Sequence, residues 1–207
     1  EALRLCNGSV ELTVLPQRAL DIYELHYRNA GISYTNPHAK IIPEGFCEAG
    51  VEDFSAHFFA GMMTTCGLIQ AGRPCQENGR SFGLHGCISN TPALRVQTET
   101  ADDRVTVQGI TEEHHPEGEH MRLTRRITLH RDGWLEIADT AENIGDTVTP
   151  FMLMYHINFG APFLSEALQV SIPFIHTEDR DTGLPAAPAE ILKMEPEGAY
   201  SREKVYY

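Results

Sequence analysis

Residues 121–143 read MRLTRRITLHRDGWLEIADTAEN. In an extended chain Leu123, Arg125, Ile127 and Leu129 fall on one side, and Leu135, Ile137 and Ala141 follow with the same period of two. Between the two runs stands Arg131-Asp132-Gly133, and an Asp-Gly pair tolerates the positive φ angles of a tight turn. Two alternating runs joined by such a turn predict an antiparallel hairpin.

Working outward, Leu94 to Thr100, Arg104 to Ile110 and Thr149 to Phe159 also read as strands. Turn signals separate them at Asp102-Asp103, Pro116-Glu117-Gly118 and Ile144-Gly145-Asp146. Upstream, Val10, Leu12 and Val14 alternate with Glu11 and Thr13; after Pro16 a second strand covers Ala19 to Tyr27. Residues 29–60 are read as loop with one short helix around Val51 to Phe58, and the glycine- and threonine-rich 61–93 as a long functional loop. Leu168 to Phe174 and Glu203 to Tyr207 complete the expected strands, with proline- and acid-rich loop between them. Strands at intervals of roughly 10–15 residues predict an all-β antiparallel sandwich. No linker or repeat divides the chain, so residues 1–207 are read as a single domain.

The apolar fraction of 42% is that of an ordinary globular chain. Lys plus Arg number 16 against 29 Asp plus Glu, a formal charge of -13. Such a surface repels phosphate backbones and anionic lipids, so neither nucleic acid nor membrane is expected as a partner. No apolar run approaches the roughly 18 residues of a membrane helix. The five cysteines, Cys6, Cys47, Cys66, Cys75 and Cys87, are odd in number and lack CxxC spacing. That pattern is read as reduced thiols in a cytoplasmic protein, not as a zinc site or a disulfide scaffold.

Two histidines stand out. In FMLMYHINFG, 151–160, Met152, Met154, His156 and Asn158 share one strand face, and Leu153, Tyr155, Ile157 and Phe159 the other. Two polar groups on one face of an otherwise apolar strand must be satisfied or used. His156 is either a satisfied core histidine or part of a cleft. His85, in SFGLHGCISN, has Gly83 and Gly86 around it, which lets backbone and ligand approach closely. The alternative is a loop histidine bonded to backbone.

The run Glu112-Glu113-His114-His115 with His120 resembles a metal cluster, but it falls in a turn. A cupin-like metal enzyme would need an HxH pair; adjacent histidines point to opposite strand faces. Carboxylates Glu48, Glu52, Asp53, Asp139, Glu142, Glu166 and Asp179 are available, and no spacing selects a pair among them. The nucleophile elbow, the phosphate loop and the dinucleotide fingerprint are all missing, which removes the main support for acyl transfer, nucleotide hydrolysis and dinucleotide redox.

Taken together, GMMTTCGL (61–68), GLHGCISNTPA (83–93), WLEIADTAEN (134–143) and MLMYHINFGAPFLSE (152–166) resemble the aldose 1-epimerase-like proteins of the galactose mutarotase superfamily, and more closely their DUF4432 branch. The early Gln17-Arg18-Ala19-Leu20-Asp21-Ile22 resembles that branch's opening, with alanine at 19 where glycine is more usual. The resemblance implies a β-supersandwich with a carbohydrate site on the concave face of one sheet, and a monosaccharide or sugar derivative as partner, with no metal or organic cofactor. It implies that His156 donates a proton to the sugar ring oxygen and that His85 bonds near the anomeric centre. It makes Arg18 and Asn158 candidate sugar contacts. The superfamily's base is a glutamate near the C-terminus, beyond further strands; Glu195 and Glu197 do not match that position. The resemblance therefore implies that the chain is a piece of a longer protein or lacks the base. In the second case a non-catalytic sugar-binding or sensing domain is the alternative, and a homodimer is one way to cover the open sheet edge.

Overall fold

The computed structural model describes residues 1–42, 50–116, 118–187, 191–192 and 203–207. Cys47, Glu48, Glu195 and Glu197 lie outside the described residues. The strands are β1 (Leu3–Cys6), β2 (Val10–Leu15), β3 (Asp21–Tyr27), β4 (Ala30–Gly31), β5 (Met63–Leu68), β6 (Cys75–Glu77), β7 (Arg80–Phe82), β8 (Leu94–Thr100), β9 (Arg104–His114), β10 (His120–His130), β11 (Leu135–Asn143) and β12 (Met152–Ile157). One α-helix, α1 (Glu52–His57), falls where the short helix is expected.

The strands form two main antiparallel sheets. The first runs β1-β2-β3-β5-β12, with β4 on β3; the second runs β11-β10-β9-β8. The hairpin predicted from 121–143 is present, with Leu123 opposite Ala141, Arg125 opposite Asp139, Ile127 opposite Ile137 and Leu129 opposite Leu135. Its apolar row faces the first sheet. Val107, Ile127 and Leu129 pack with Leu5, Leu12, Val14, Ile22 and Met63 in one core. Leu123 and Met121 join Ala19, Leu68, Ile69 and Ile88 in a second. Each such side chain withdrawn from water contributes roughly 1.5–3 kcal/mol.

Arg125 is the one charged member of the apolar row, and it is 1% exposed. Its guanidinium makes a two-pronged bond to Asp139 (3.0 and 2.7 Å) and reaches across the sandwich to Asp21 (3.1 Å). Asp21 also accepts from the backbone and hydroxyl of Thr65. Burial pushes the Asp21 carboxyl above its ordinary range, against the pull of Arg125. Burial likewise works against the Arg125 cation, but the bonds to Asp139 and the charge of Asp21 hold its pKa above the ordinary value.

Four expectations are corrected. The stretch 61–93, read as loop, contains β5, whose six residues are all buried. A strand covered on both faces shows no alternation, and Thr64 and Thr65 make it look polar; their hydroxyls bond Ala60 and Asp21. The same stretch holds the β6–β7 hairpin, turned at Asn78-Gly79 with both residues at positive φ. Leu168 to Phe174 forms no strand, since nothing in the described residues lies alongside to form a ladder. Among the described residues beyond Ile157 only the isolated bridges Ser33–Phe159, Glu178–Pro185 and Asp179–Tyr206 occur, so Glu203 to Tyr207 holds a single bridge and not a strand. Cys87 is disulfide-bonded, whereas Cys6, Cys66 and Cys75 are free. The disulfide removes the thiol argument for a cytoplasmic address. Among the described residues no helix is long and apolar enough to cross a membrane.

Candidate functional site

Among the described residues β12 is the outermost strand of the first sheet and pairs only with β5, Tyr155 opposite Thr65 and His156 opposite Thr64. Its two faces part company as period two requires. Tyr155 turns inward and bonds Asp139 of the other sheet, and His156 turns the opposite way. There it meets α1 and the loop bearing His85.

Four rings close on one another. Phe54 of α1 and Phe58, the residue just past its C-terminal end, stack at 4.9 Å between centres and 25°. Phe54 lies edge-on to His85 at 4.9 Å, and Phe58 edge-on to His156 at 4.9 Å. The two imidazoles stand 6.1 Å apart at 81°. His85 is a loop histidine bonded to backbone, and it faces His156.

His85 adopts a left-handed conformation, φ 60°, which is uncommon for a residue with a side chain. Three backbone bonds hold it there. Its carbonyl accepts from Gly67, its N–H donates to the Gly72 carbonyl, and the Gly72 N–H donates to its Nδ1 at 3.3 Å. Gly86 follows at φ +73, and a Cβ there would run into the carbonyl oxygens of Gln70 and Gly67. Because Nδ1 accepts a bond, the neutral ring carries its proton on Nε2. Burial, and then the neighbouring His156, lower the pKa of His85 below the ordinary histidine value. Near neutral pH His85 is therefore an uncharged Nε2–H donor.

Asn158 and Arg18 are engaged by backbone. The Asn158 side-chain nitrogen donates to the carbonyls of Gly61 and His156, both at 3.0 Å. It braces the chain just past the end of β12, with its amide donor already occupied. Arg18 is 1% exposed. Its guanidinium donates to the carbonyls of Lys40, Ile41 and His57 and lies over Phe59. The geometry does not bear out a sugar contact: this buried cation ties down the C-terminal end of α1, from which Phe58 continues.

The histidine run of 114–120 is only partly a turn, since β9 extends to His114 and β10 begins at His120. His120 bonds Glu112 and His115 bonds Glu113, each at 3.2 Å. Glu113 also accepts from the backbone of Leu68 and Ile69, so it clamps the end of β5 beneath the His85 loop. A concavity of about 650 Å³ lies elsewhere, on the polar outer face of the second sheet over Thr106, Thr128, Arg126 and His130. It contains neither His85 nor His156, and the site proposed below rests on the ring geometry instead.

Sequence reasoning missed Phe54, Phe58 and Gly72. Phenylalanines four apart inside the expected short helix are a signal for the first two, since that spacing puts both on one face. The Gly72 contact crosses a loop and has no local sequence mark.

The two-sheet antiparallel sandwich has the galactose mutarotase-like fold, as solved structures show. An aldose 1-epimerase candidate from Klebsiella pneumoniae superposes with a TM-score of 0.72 at 22% identity, covering 82% of this chain and 46% of that one. A galactose mutarotase-like protein from Clostridium acetobutylicum gives 0.63 at 17% identity, covering 89% and 59%. The galactose 1-epimerase of Lactobacillus acidophilus gives 0.52 at 14% identity, covering 76% and 48%. These likenesses establish the fold; the chain spans roughly half the length of the structures it matches. The chain belongs to the DUF4432 family, a domain of unknown function that matches residues 1–207. A search of curated proteins found no match.

Proposed function

We propose that this chain binds a monosaccharide at the His85–His156 pair and takes part in aldose 1-epimerase-like interconversion of its anomers. The meeting of the two imidazoles at 6.1 Å, from a left-handed loop and an edge strand, is the observation that carries this reading. Mutarotation needs a proton delivered to the ring oxygen as the anomeric C–O bond breaks. It also needs the anomeric hydroxyl proton removed as the carbonyl forms. After rotation, both transfers reverse on the other face. His156 is the acid for the ring oxygen. His85, neutral with its proton on Nε2, is the donor to an anomeric oxygen. The rings of Phe54 and Phe58 keep water from the pair and offer an apolar surface to the sugar's C–H face. No described residue is assigned as the base.

The reaction can be followed by polarimetry or by NMR exchange between anomers. A positioned acid contributes typically ~10² to 10⁴-fold. His156→Ala is expected to lose that much of the enhancement, and wild-type exchange no faster than buffer across a panel of aldoses would sink the reading.

A second reading is a sugar-binding domain without catalysis. Among the described residues no base is assigned, and that favours it. It expects ligand-induced thermal stabilisation with unaccelerated anomer exchange.

A further inference from the structure

The geometry points to Tyr155 as a positioning residue for His156. The inference rests on the proposed sugar site, and it concerns how an edge strand holds an acid in place.

Among the described residues β12 has a ladder partner on one side only, and most of its side chains, Tyr155 at 42% included, are exposed. Packing alone therefore fixes its rotation about the strand axis weakly. The Tyr155 hydroxyl supplies the missing constraint by donating to Asp139 Oδ2 at 2.8 Å. Asp139 is held in turn by the two-pronged bond from Arg125. Arg125 reaches Asp21 at 3.1 Å, and Asp21 accepts from the Thr65 hydroxyl at 2.6 Å. Thr65 is the residue opposite Tyr155 across the β5–β12 ladder. The bonds thus close a ring, Tyr155–Asp139–Arg125–Asp21–Thr65, that ties β12 and β5 to the opposite sheet. Most of this ring is fully buried, so its bonds are little weakened by solvent. His156 is the next residue along β12 and projects from the other face. Releasing the tyrosine lets β12 rotate, and rotation swings His156 relative to His85 and Phe58. A misplacement of ~1 Å can cost a catalytic group about 10²-fold.

The test uses Tyr155→Phe, which removes the hydroxyl and keeps the ring near Arg125. Ile127→Val, in the core away from the site, serves as a control of similar thermal destabilisation. Two readouts are taken. In anomer exchange, Tyr155→Phe is expected to lower kcat by about 10-fold or more with KM within about twofold, and Ile127→Val to leave both unchanged. In NMR of labelled histidine, the His156 imidazole signals shift and broaden in Tyr155→Phe while those of His85 stay sharp. Equal losses of kcat in the two variants, or unperturbed His156 signals in Tyr155→Phe, would overturn the inference. If wild-type protein does not accelerate exchange, the proposed reaction fails, and the His156 signals alone decide the positioning role.

Discussion

The Gly72 backbone N–H donates to Nδ1 of His85 at 3.3 Å, thirteen residues along the chain. That single bond fixes the proton of the neutral imidazole on Nε2, the nitrogen left to face a ligand. Burial, and then the neighbouring His156, make His85 a group that resists charging.

This resistance has a sign in stability. The folded pKa of His85 lies below its ordinary value of about 6.5. As pH falls through about 6.5 the unfolded chain takes up this proton first, so His85 lowers stability on the acid side and not above neutrality. Replacing His85 with Gln removes this contribution. The thermal midpoint of His85→Gln relative to wild type is expected to improve between about pH 7.5 and about pH 5. An offset that does not change with pH would refute the assignment.

The ring quartet makes a pairwise prediction. Phe58 lies edge-on to His156, and such aromatic pairs contribute about 0.5–1.5 kcal/mol beyond area burial. A double-mutant cycle with Phe58→Leu and His156→Leu, read by denaturant unfolding, should return a coupling in that range. Strict additivity would mean that the two rings do not stabilise one another.

The buried charge pair predicts a larger effect. Arg125→Ala leaves Asp21 and Asp139 as neighbouring buried carboxylates with their cation gone, and it is expected to cost about 3–5 kcal/mol. Arg125→Met together with Asp21→Asn and Asp139→Asn should recover part of the loss, because it removes the stranded charges too. Urea unfolding of wild type and these two variants checks both statements.

Gly86 predicts a steric failure. At φ +73 its added Cβ would meet two carbonyl oxygens, so Gly86→Ala combines backbone strain of ~1–3 kcal/mol with displacement of the loop. The expected outcome is a lower thermal midpoint and moved His85 NMR signals. A variant as stable as wild type with unmoved signals would contradict the geometry.

How much of this was legible differs by element. The hairpin of 121–143 was readable because one face is buried and the other is not, and an Asp-Gly turn joins the halves. β5 was not, since burial on both faces erases the period. His156 could be placed on the face of β12 opposite Tyr155 by counting. Arg18 could not be seen as a buried tie for α1, because its acceptors are backbone carbonyls some twenty to forty residues away.

By itself, then, the sequence determined the antiparallel sheet class, the two histidines and the face that His156 occupies. Those follow from side-chain period and turn chemistry, which are local. Only the tertiary structure decided that His85 and His156 meet, that Phe54 and Phe58 enclose them, and that Tyr155 is tied through Asp139 and Arg125 to Asp21. These depend on through-space distances between residues far apart in the chain, set by how two sheets twist and pack, and no local pattern encodes them.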